Sequence, residues 1–317
     1  MLQLIAIAET LGRGLIHAGD LDQLGLNSRQ LAHAVANGLV IRVARGVYAR
    51  PPQTRAFTRR ELHELRVRAA VATYPRDAVV SHLSAAAMHG LPLIGSWPSQ
   101  VHLSIAGARS GSASAGIARH IPAVAFDEAI LSGVRVTSIA RTLVDIAATQ
   151  SLLIAVTMID HALRNALVDK TRLVDELHHA GFRTGTRRAS HAIAFADARS
   201  GSPGESLTRV QAWQLNFEEP DLQVHVSTVR GEYDVDFGWE SCRLFGEFDG
   251  KVKYTRSEFM KGRSLEQVIL EEKAREDAIR ARTDRSFVRI LWSEAYVPRT
   301  LDAMLRSAGV PRRGRVL

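Results

Sequence analysis

Four acidic residues in the C-terminal part of the sequence have the types and spacing of a carboxylate metal site. Glu205 lies at the start of a predicted helix, Asp236 ends a predicted strand, and Glu247 and Asp249 lie two apart on the next strand, where side chains share a face. Mg²⁺ prefers oxygen ligands, and two carboxylates with a phosphate oxygen are a common set. We therefore predict Asp236, Glu247 and Asp249 as ligands of Mg²⁺, which would stabilise phosphate charge and activate water.

The elements that must position these acids follow the order α-β-β-β-α-β. A stretch rich in Gly, Ser and Pro at 199–206 marks a domain boundary, and a helix follows it. Three strand-like runs, a charged helix over 264–282 and a last strand in "SFVRILW" complete the order. This order is that of a PD-(D/E)XK nuclease core.

Residues 203–295 resemble the branch of that superfamily that contains the very-short-patch-repair endonucleases, and "GEFDGKVKY" carries the strongest local match. The resemblance implies Glu205, Asp236 and Glu247 as catalytic residues. It also implies a lysine two positions after Glu247, where this chain has Asp249. Lys251 or Lys253 would have to replace that lysine, and we take Lys253 as the candidate. Two alternatives stay open, an active Mg²⁺-dependent endonuclease and a degenerate nuclease fold that is kept for binding.

The N-terminal residues have the pattern of a helix-turn-helix followed by a hairpin. Turn-forming residues at 25–27 precede a helix predicted over 29–37, with Ser28 as its N-cap and Gly38 at its end. Leu31, Ala34 and Val35 form its apolar stripe. Two short strands around a tight turn at 44–46 then complete a winged helix.

Cationic and polar residues lie where a winged helix contacts DNA. Arg29, Gln30 and His33 lie off the apolar stripe and are predicted to meet bases, whereas Arg42 and Arg45 on the wing are predicted to meet phosphates or the minor groove. Residues 1–60 hold eight arginines and three acidic residues, while residues 201–317 hold nineteen of each sign. Basic segments bind polyanions by neutralising phosphates. A small helical domain that binds protein is the alternative.

Residues 19–50, through "SRQL" and "GLVIRVARGVYA", resemble the N-terminal domain of the AbiEi family, the antitoxins of type IV toxin–antitoxin pairs. Residues 80–165, through "SHLSAAAMHGLPL" and "VRVTSIARTLVDIA", resemble the body that follows the wing in such proteins. The resemblance implies an autorepressor that binds double-stranded DNA at operator repeats. It also implies a cognate nucleotidyltransferase-like toxin as a partner, and a protein-interaction module for that toxin is a third interpretation.

The middle of the chain shows no spacing typical of catalysis. His82 and His89 lie seven apart and could share a helix face, but zinc sites need three or four protein ligands. We therefore interpret this pair as packing or hydrogen bonding.

Composition sets the remaining expectations. Cys242 is the only cysteine among 317 residues, which excludes an internal disulfide and fits a cytoplasmic protein. The apolar runs are too short to cross a bilayer, so no membrane partner is expected. The sequence predicts an α+β / α/β multidomain protein. Its parts are a winged helix-turn-helix over 1–55, a mixed α/β middle domain over 56–198 and a PD-(D/E)XK domain over 199–317.

Overall fold

The computed structural model describes residues 1–11, 14–51, 56–72, 77–106, 116–182, 184–249 and 265–314. These residues form two compact units, one of 1–149 with 170–190 and the other of 150–169 with 191–317.

The first unit begins with three helices and a small sheet. Its elements are α1 (Leu2–Leu11), β1 (Ile16–His17), α2 (Ala18–Gln23), α3 (Ser28–Ala36), β2 (Ile41–Ala44) and β3 (Val47–Ala49). The strands pair antiparallel in the order β1-β3-β2. One apolar core joins the helices to this sheet, through Ile5, Ile16, Leu21, Leu31 and Val40. The order predicted for a winged helix-turn-helix is therefore observed, with β1 as an additional strand.

The rest of the first unit is built around a five-stranded sheet. Its elements are α4 (Arg59–Val71), β4 (Val79–Val80), α5 (His82–Met88), β5 (Val101–Ser104), β6 (Ile117–His120), β7 (Glu128–Leu131), β8 (Val134–Thr137), α6 (Ile139–Thr149) and α8 (Lys170–His179). The strand order is β6-β5-β4-β8-β7, with β5 and β6 parallel. The central strands are short and apolar, and Val80, Leu103 and Val136 are buried in the core that α4 and α5 cover. Leu65 and Ala69 of α4 also pack on the N-terminal sheet.

The second unit carries the four-stranded sheet with the predicted acids. Its elements are α7 (Leu152–Arg164), α10 (Pro203–Gln214), β9 (Asp221–Thr228), β10 (Gly231–Trp239), β11 (Leu244–Asp249), α11 (Leu265–Thr283), β12 (Ser286–Leu291), α12 (Trp292–Ala295) and α13 (Pro298–Ser307). A further helix, α9 (Thr186–Phe195), joins the two units in sequence. The strand order is β12-β11-β10-β9, with β11 and β12 parallel and the other pairs antiparallel. The α-β-β-β-α-β order predicted from the sequence is observed here.

Contacts with β11 and with α7 fix α10 in the second unit. A Cβ atom at Gly204 would lie 2.0 Å from the Phe248 ring, so only glycine allows the start of α10 this close to β11. On the same helix Ser206 and Arg209 both bind the buried carboxylate of Asp160 on α7, at 2.7 and 2.8 Å. A buried carboxylate needs such partners to offset the loss of water. These contacts fix the helix from which Glu205 projects.

Candidate nucleic-acid interface and polar row

Helix α3 is held in place by its cap and by its buried face. Asn27 is the N-cap, since its side chain accepts a hydrogen bond from Gln30 N at 3.0 Å while Gln30 Oε1 accepts one from Asn27 N at 3.0 Å. This capping box replaces the predicted Ser28 cap, which is therefore wrong by one residue. Leu31 and Ala34 are buried as predicted, whereas Val35 is 38% exposed.

The predicted base-reading residues are all exposed on α3. Arg29, Gln30 and His33 are exposed, whereas Leu31 and Ala34 of the same helix are buried. The capping box uses the amide oxygen of Gln30, so its amide NH₂ group is the end left for a base edge. The structure thus brings the three side chains to one solvent-facing surface of a capped helix.

The predicted phosphate-binding residues are exposed on the hairpin. Arg42 lies on β2, and Arg45 lies in the turn before Gly46, whose φ of +72° belongs to the left-handed region. The register between β2 and β3 shifts between Arg42 and Ala44, which marks an irregularity in the ladder. Arg50, after the hairpin, pairs with Glu9 at 3.2 Å.

The sheet of the second unit carries a row of polar side chains that we call the polar row: Gln223, Asp236, Glu247 and Arg289. The antiparallel pair Phe237–Gly246 places Asp236 across from Glu247, and Glu247 pairs with Arg289 on β12. The β9–β10 register likewise places Gln223 across from Asp236. Residues opposite each other share a face, so four strands contribute to one polar line. Asp236 lies inside β10 and not at its end, which corrects the sequence prediction.

Glu205 approaches the polar row from α10. Its carboxylate accepts hydrogen bonds from Gly201 N at 2.6 Å and Ser202 Oγ at 2.8 Å. The Gln223 amide then links two acids, since its Nε2 donates to Glu205 at 3.1 Å and to Asp236 at 3.3 Å. Burial raises the pKa of Glu205, and the nearby negative charge of Asp236 raises that pKa further. The structure therefore brings Glu205 and Asp236 together.

Glu247 has a cationic partner from the same unit. Arg275 on α11 binds Glu247 through its Nη2 and also binds Glu272 at 2.8 Å. Arg289 binds Glu272 and Glu276 at 3.2 and 2.9 Å. Burial raises the pKa of Glu247, and Arg275 acts in the opposite direction. The negative charge of Glu247 is therefore offset by an arginine.

Asp249 and the two candidate lysines complete the set of predicted site residues. Asp249 is half-buried at the end of β11, two residues beyond Glu247. Lys251 and Lys253 lie outside the described residues. Sequence reasoning did not find Gln223 or Arg289, because neither is acidic and only strand pairing brings them to the row. Arg275 belongs to the helix predicted as charged, and its partners are Glu247 and Glu272.

Among the helices that the structure describes, none has the length and apolar character needed to cross a membrane.

The N-terminal residues match a family of known proteins. Residues 3–51 match the family described as "Transcriptional regulator, AbiEi antitoxin", which confirms the resemblance found for that part of the sequence. No curated protein sequence gives a significant match. Among solved structures, the RV2827C protein from Mycobacterium tuberculosis is 18% identical with a TM-score of 0.37, over 69% of this chain and 82% of that chain.

Proposed function

We propose that this chain is a DNA-binding transcriptional regulator of the antitoxin type, which reads its own operator with α3. One observation carries the proposal. The segment that matches the AbiEi antitoxin regulators, residues 3–51, contains a capped helix with Arg29, Gln30 and His33 exposed together. An exposed helix with a buried opposite face is what the major groove admits.

The proposed division of labour follows from side-chain chemistry. Arg29 and the free amide end of Gln30 provide donors for base edges, and His33 offers one donor and one acceptor. Arg42 and Arg45 on the wing bind phosphates and fix the position of α3. The DNA is double-stranded and lies upstream of the chain's own operon, and the protein acts in the cytoplasm.

For the second unit we propose a degenerate PD-(D/E)XK fold that supports binding to DNA or to a nucleotidyltransferase-like toxin. The strand order and the polar row support the fold. Arg275 supports the loss of activity, because it binds the Glu247 carboxylate that Mg²⁺ would need. The residues in this arrangement do not fit the metal, and we derive no catalytic step from it.

A mobility shift with DNA from upstream of the gene tests the regulator function. We expect retardation of that DNA by the full chain, and Arg29→Ala with Arg42→Ala should weaken binding at least about tenfold, since each lost base contact costs roughly 1–3 kcal/mol. Arg187→Ala with Arg188→Ala is the charge-matched control, because both arginines are exposed on α9, in the first unit and outside residues 3–51. No retardation at low salt, or equal weakening by both pairs, contradicts the proposal.

The second candidate is a Mg²⁺-dependent endonuclease, and the association of Glu205 with Asp236 favours it. Plasmid DNA incubated with the full chain and Mg²⁺ or Mn²⁺ should stay intact if the fold is degenerate. Cleavage that disappears in Asp236→Ala and Glu247→Ala would establish the nuclease instead. Cleavage that survives both changes would exclude the polar row as its site.

A further inference from the structure

Three histidine rings converge in the first unit, far from one another in sequence. His82 is the first residue of α5, His102 lies on β5, and His120 is the last residue of β6. One ring nitrogen from each lies within 4.8 Å of those of the other two. Over the described ranges, this is the one group of three or more His, Cys, Asp or Glu with that spacing.

Parallel strand pairing explains how two of the rings meet. In the β5–β6 register His102 pairs with Ala118 and Ser104 pairs with His120, so the two histidines lie diagonally on one face. His102 Nδ1 lies 3.0 Å from His120 Nε2, and their rings are stacked. Sequence positions 102 and 120 give no sign of this contact, which depends on the pairing of two four-residue strands.

His82 joins the pair through a strained backbone. Its φ of 52° lies in the left-handed region, which a residue with a Cβ adopts only at a cost of about 1–3 kcal/mol. The residue before it is held to β5, because Ser81 N donates to the His102 carbonyl at 3.0 Å. The His82 ring stacks on His120 with centroids 3.6 Å apart. Strain of this kind persists where surrounding contacts fix it, and it is enriched at functional sites.

The His82 ring is oriented by a hydrogen bond to the neighbouring serine. His82 Nδ1 faces Ser81 Oγ at 3.0 Å and the buried Asp145 carboxylate at 3.9 Å. With Nδ1 hydrogen-bonded to Ser81 Oγ, the nitrogen left as a lone-pair donor is Nε2, and metal-binding histidines are commonly oriented by a hydrogen bond to their other ring nitrogen.

From this geometry we propose that His82, His102 and His120 bind one divalent transition-metal ion, with zinc as the expected ion. Imidazole nitrogens suit zinc, whose Zn–N bonds are about 2.0–2.1 Å, and three protein ligands leave a fourth position for water. His82 is buried while His102 and His120 are half-exposed, so an ion can reach the open side. The ion would join β5, β6 and the start of α5. The site is independent of the proposed DNA-binding function.

The test uses the full chain without an affinity tag, freed of metal by a chelator and dialysed. Zinc is then titrated against a chromophoric competitor, and bound zinc per chain is measured by elemental analysis. We expect one zinc per chain, with His102→Ala and His120→Ala together weakening binding beyond the roughly 10–100-fold cost of losing an outer partner of a ligand. His178→Ala is the matched control, because His178 is exposed on α8.

A second measurement does not depend on the variants' folding. X-ray absorption at the zinc edge of the wild-type chain counts imidazole ligands directly, and three are expected. No bound zinc, binding that the double variant leaves unchanged, or fewer than three imidazoles would overturn the proposal. In that case the His102–His120 contact is an ordinary N–H···N hydrogen bond between packed rings.

Discussion

His63 on α4 is one of the buried histidines that make the stability of the first unit depend on pH. Its Nε2 lies 2.9 Å from Ser84 Oγ, and burial lowers its pKa from 6.5 to about 4. The unfolded chain takes up this proton near pH 6.5, whereas the folded chain resists it down to about pH 4. The stability that His63 contributes above pH 6.5 is therefore lost as the pH falls to about 4, and it amounts to roughly 3 kcal/mol.

Urea unfolding followed by circular dichroism across this pH window checks the His63 prediction. His63→Gln keeps an amide that can bond Ser84 but does not titrate, so the loss of stability with acid should be smaller in this variant. His178→Gln, at an exposed position, should behave like the wild type. Identical pH profiles for the wild type and His63→Gln would show that His63 is not the group responsible.

Individual residues also show where sequence reasoning reaches its limit. The α3 helix was predicted over 29–37 and is observed over Ser28–Ala36, but its cap was placed on Ser28. Asn27 and Ser28 are both preferred cap residues, and the reciprocal bond with Gln30 decides between them. His89 was interpreted as packing or hydrogen bonding, and its Nε2 lies 2.8 Å from the Thr137 carbonyl. The contact between His102 and His120 was not predicted, because strands of four residues give weak sequence signals.

Among the elements, α11 and the sheet beneath it are joined by one ion pair whose loss should be costly. Arg275 and Glu247 have side chains only 19% and 14% exposed. Arg275→Met should leave a partly buried carboxylate without its arginine and lower the free energy of unfolding by about 2–3 kcal/mol. Arg275→Met with Glu247→Gln should recover most of this loss, since no unpaired charge remains.

A double-mutant cycle by urea denaturation measures the coupling of Arg275 and Glu247. Arg280→Met is the control, because Arg280 pairs with Glu276 at a side chain that is 48% exposed, and such pairs contribute roughly 0–1 kcal/mol. Additive losses in the cycle would show that the two side chains do not stabilise each other.

Element order was more predictable than element pairing. The charged helix predicted over 264–282 is observed as Leu265–Thr283, and Glu247 and Asp249 lie on one strand as predicted. The sequence could not show that β12 lies parallel to β11 and places Arg289 beside Glu247, because that pairing joins residues about forty apart. It also missed β1, whose two residues are too few for an alternating pattern.

Over the whole molecule, charge is distributed unevenly along the sequence. DNA can be attracted by this overall positive charge or by contacts of particular arginines with phosphates. The chain has a formal net charge of +8, while residues 201–317 hold equal numbers of acidic and basic residues. Much of the excess therefore lies in residues 1–60, which include the wing. Salt weakens DNA binding whether the attraction comes from a diffuse positive field or from a defined set of phosphate contacts. Only defined contacts make the salt dependence a property of particular arginines.

The salt dependence of binding by the full chain tests that assignment. Each phosphate neutralised contributes about 0.9 to the slope of log K against log salt concentration, so Arg42→Ala with Arg45→Ala should reduce the slope by about 1.8. Arg187→Ala with Arg188→Ala removes the same charge outside the winged helix and should leave the slope unchanged. Fluorescence anisotropy with labelled duplex at several salt concentrations gives both slopes. Equal reductions of the slope by both pairs would mean that the overall charge attracts the duplex, because the loss of a phosphate contact at the wing lowers the slope only when a wing arginine is replaced.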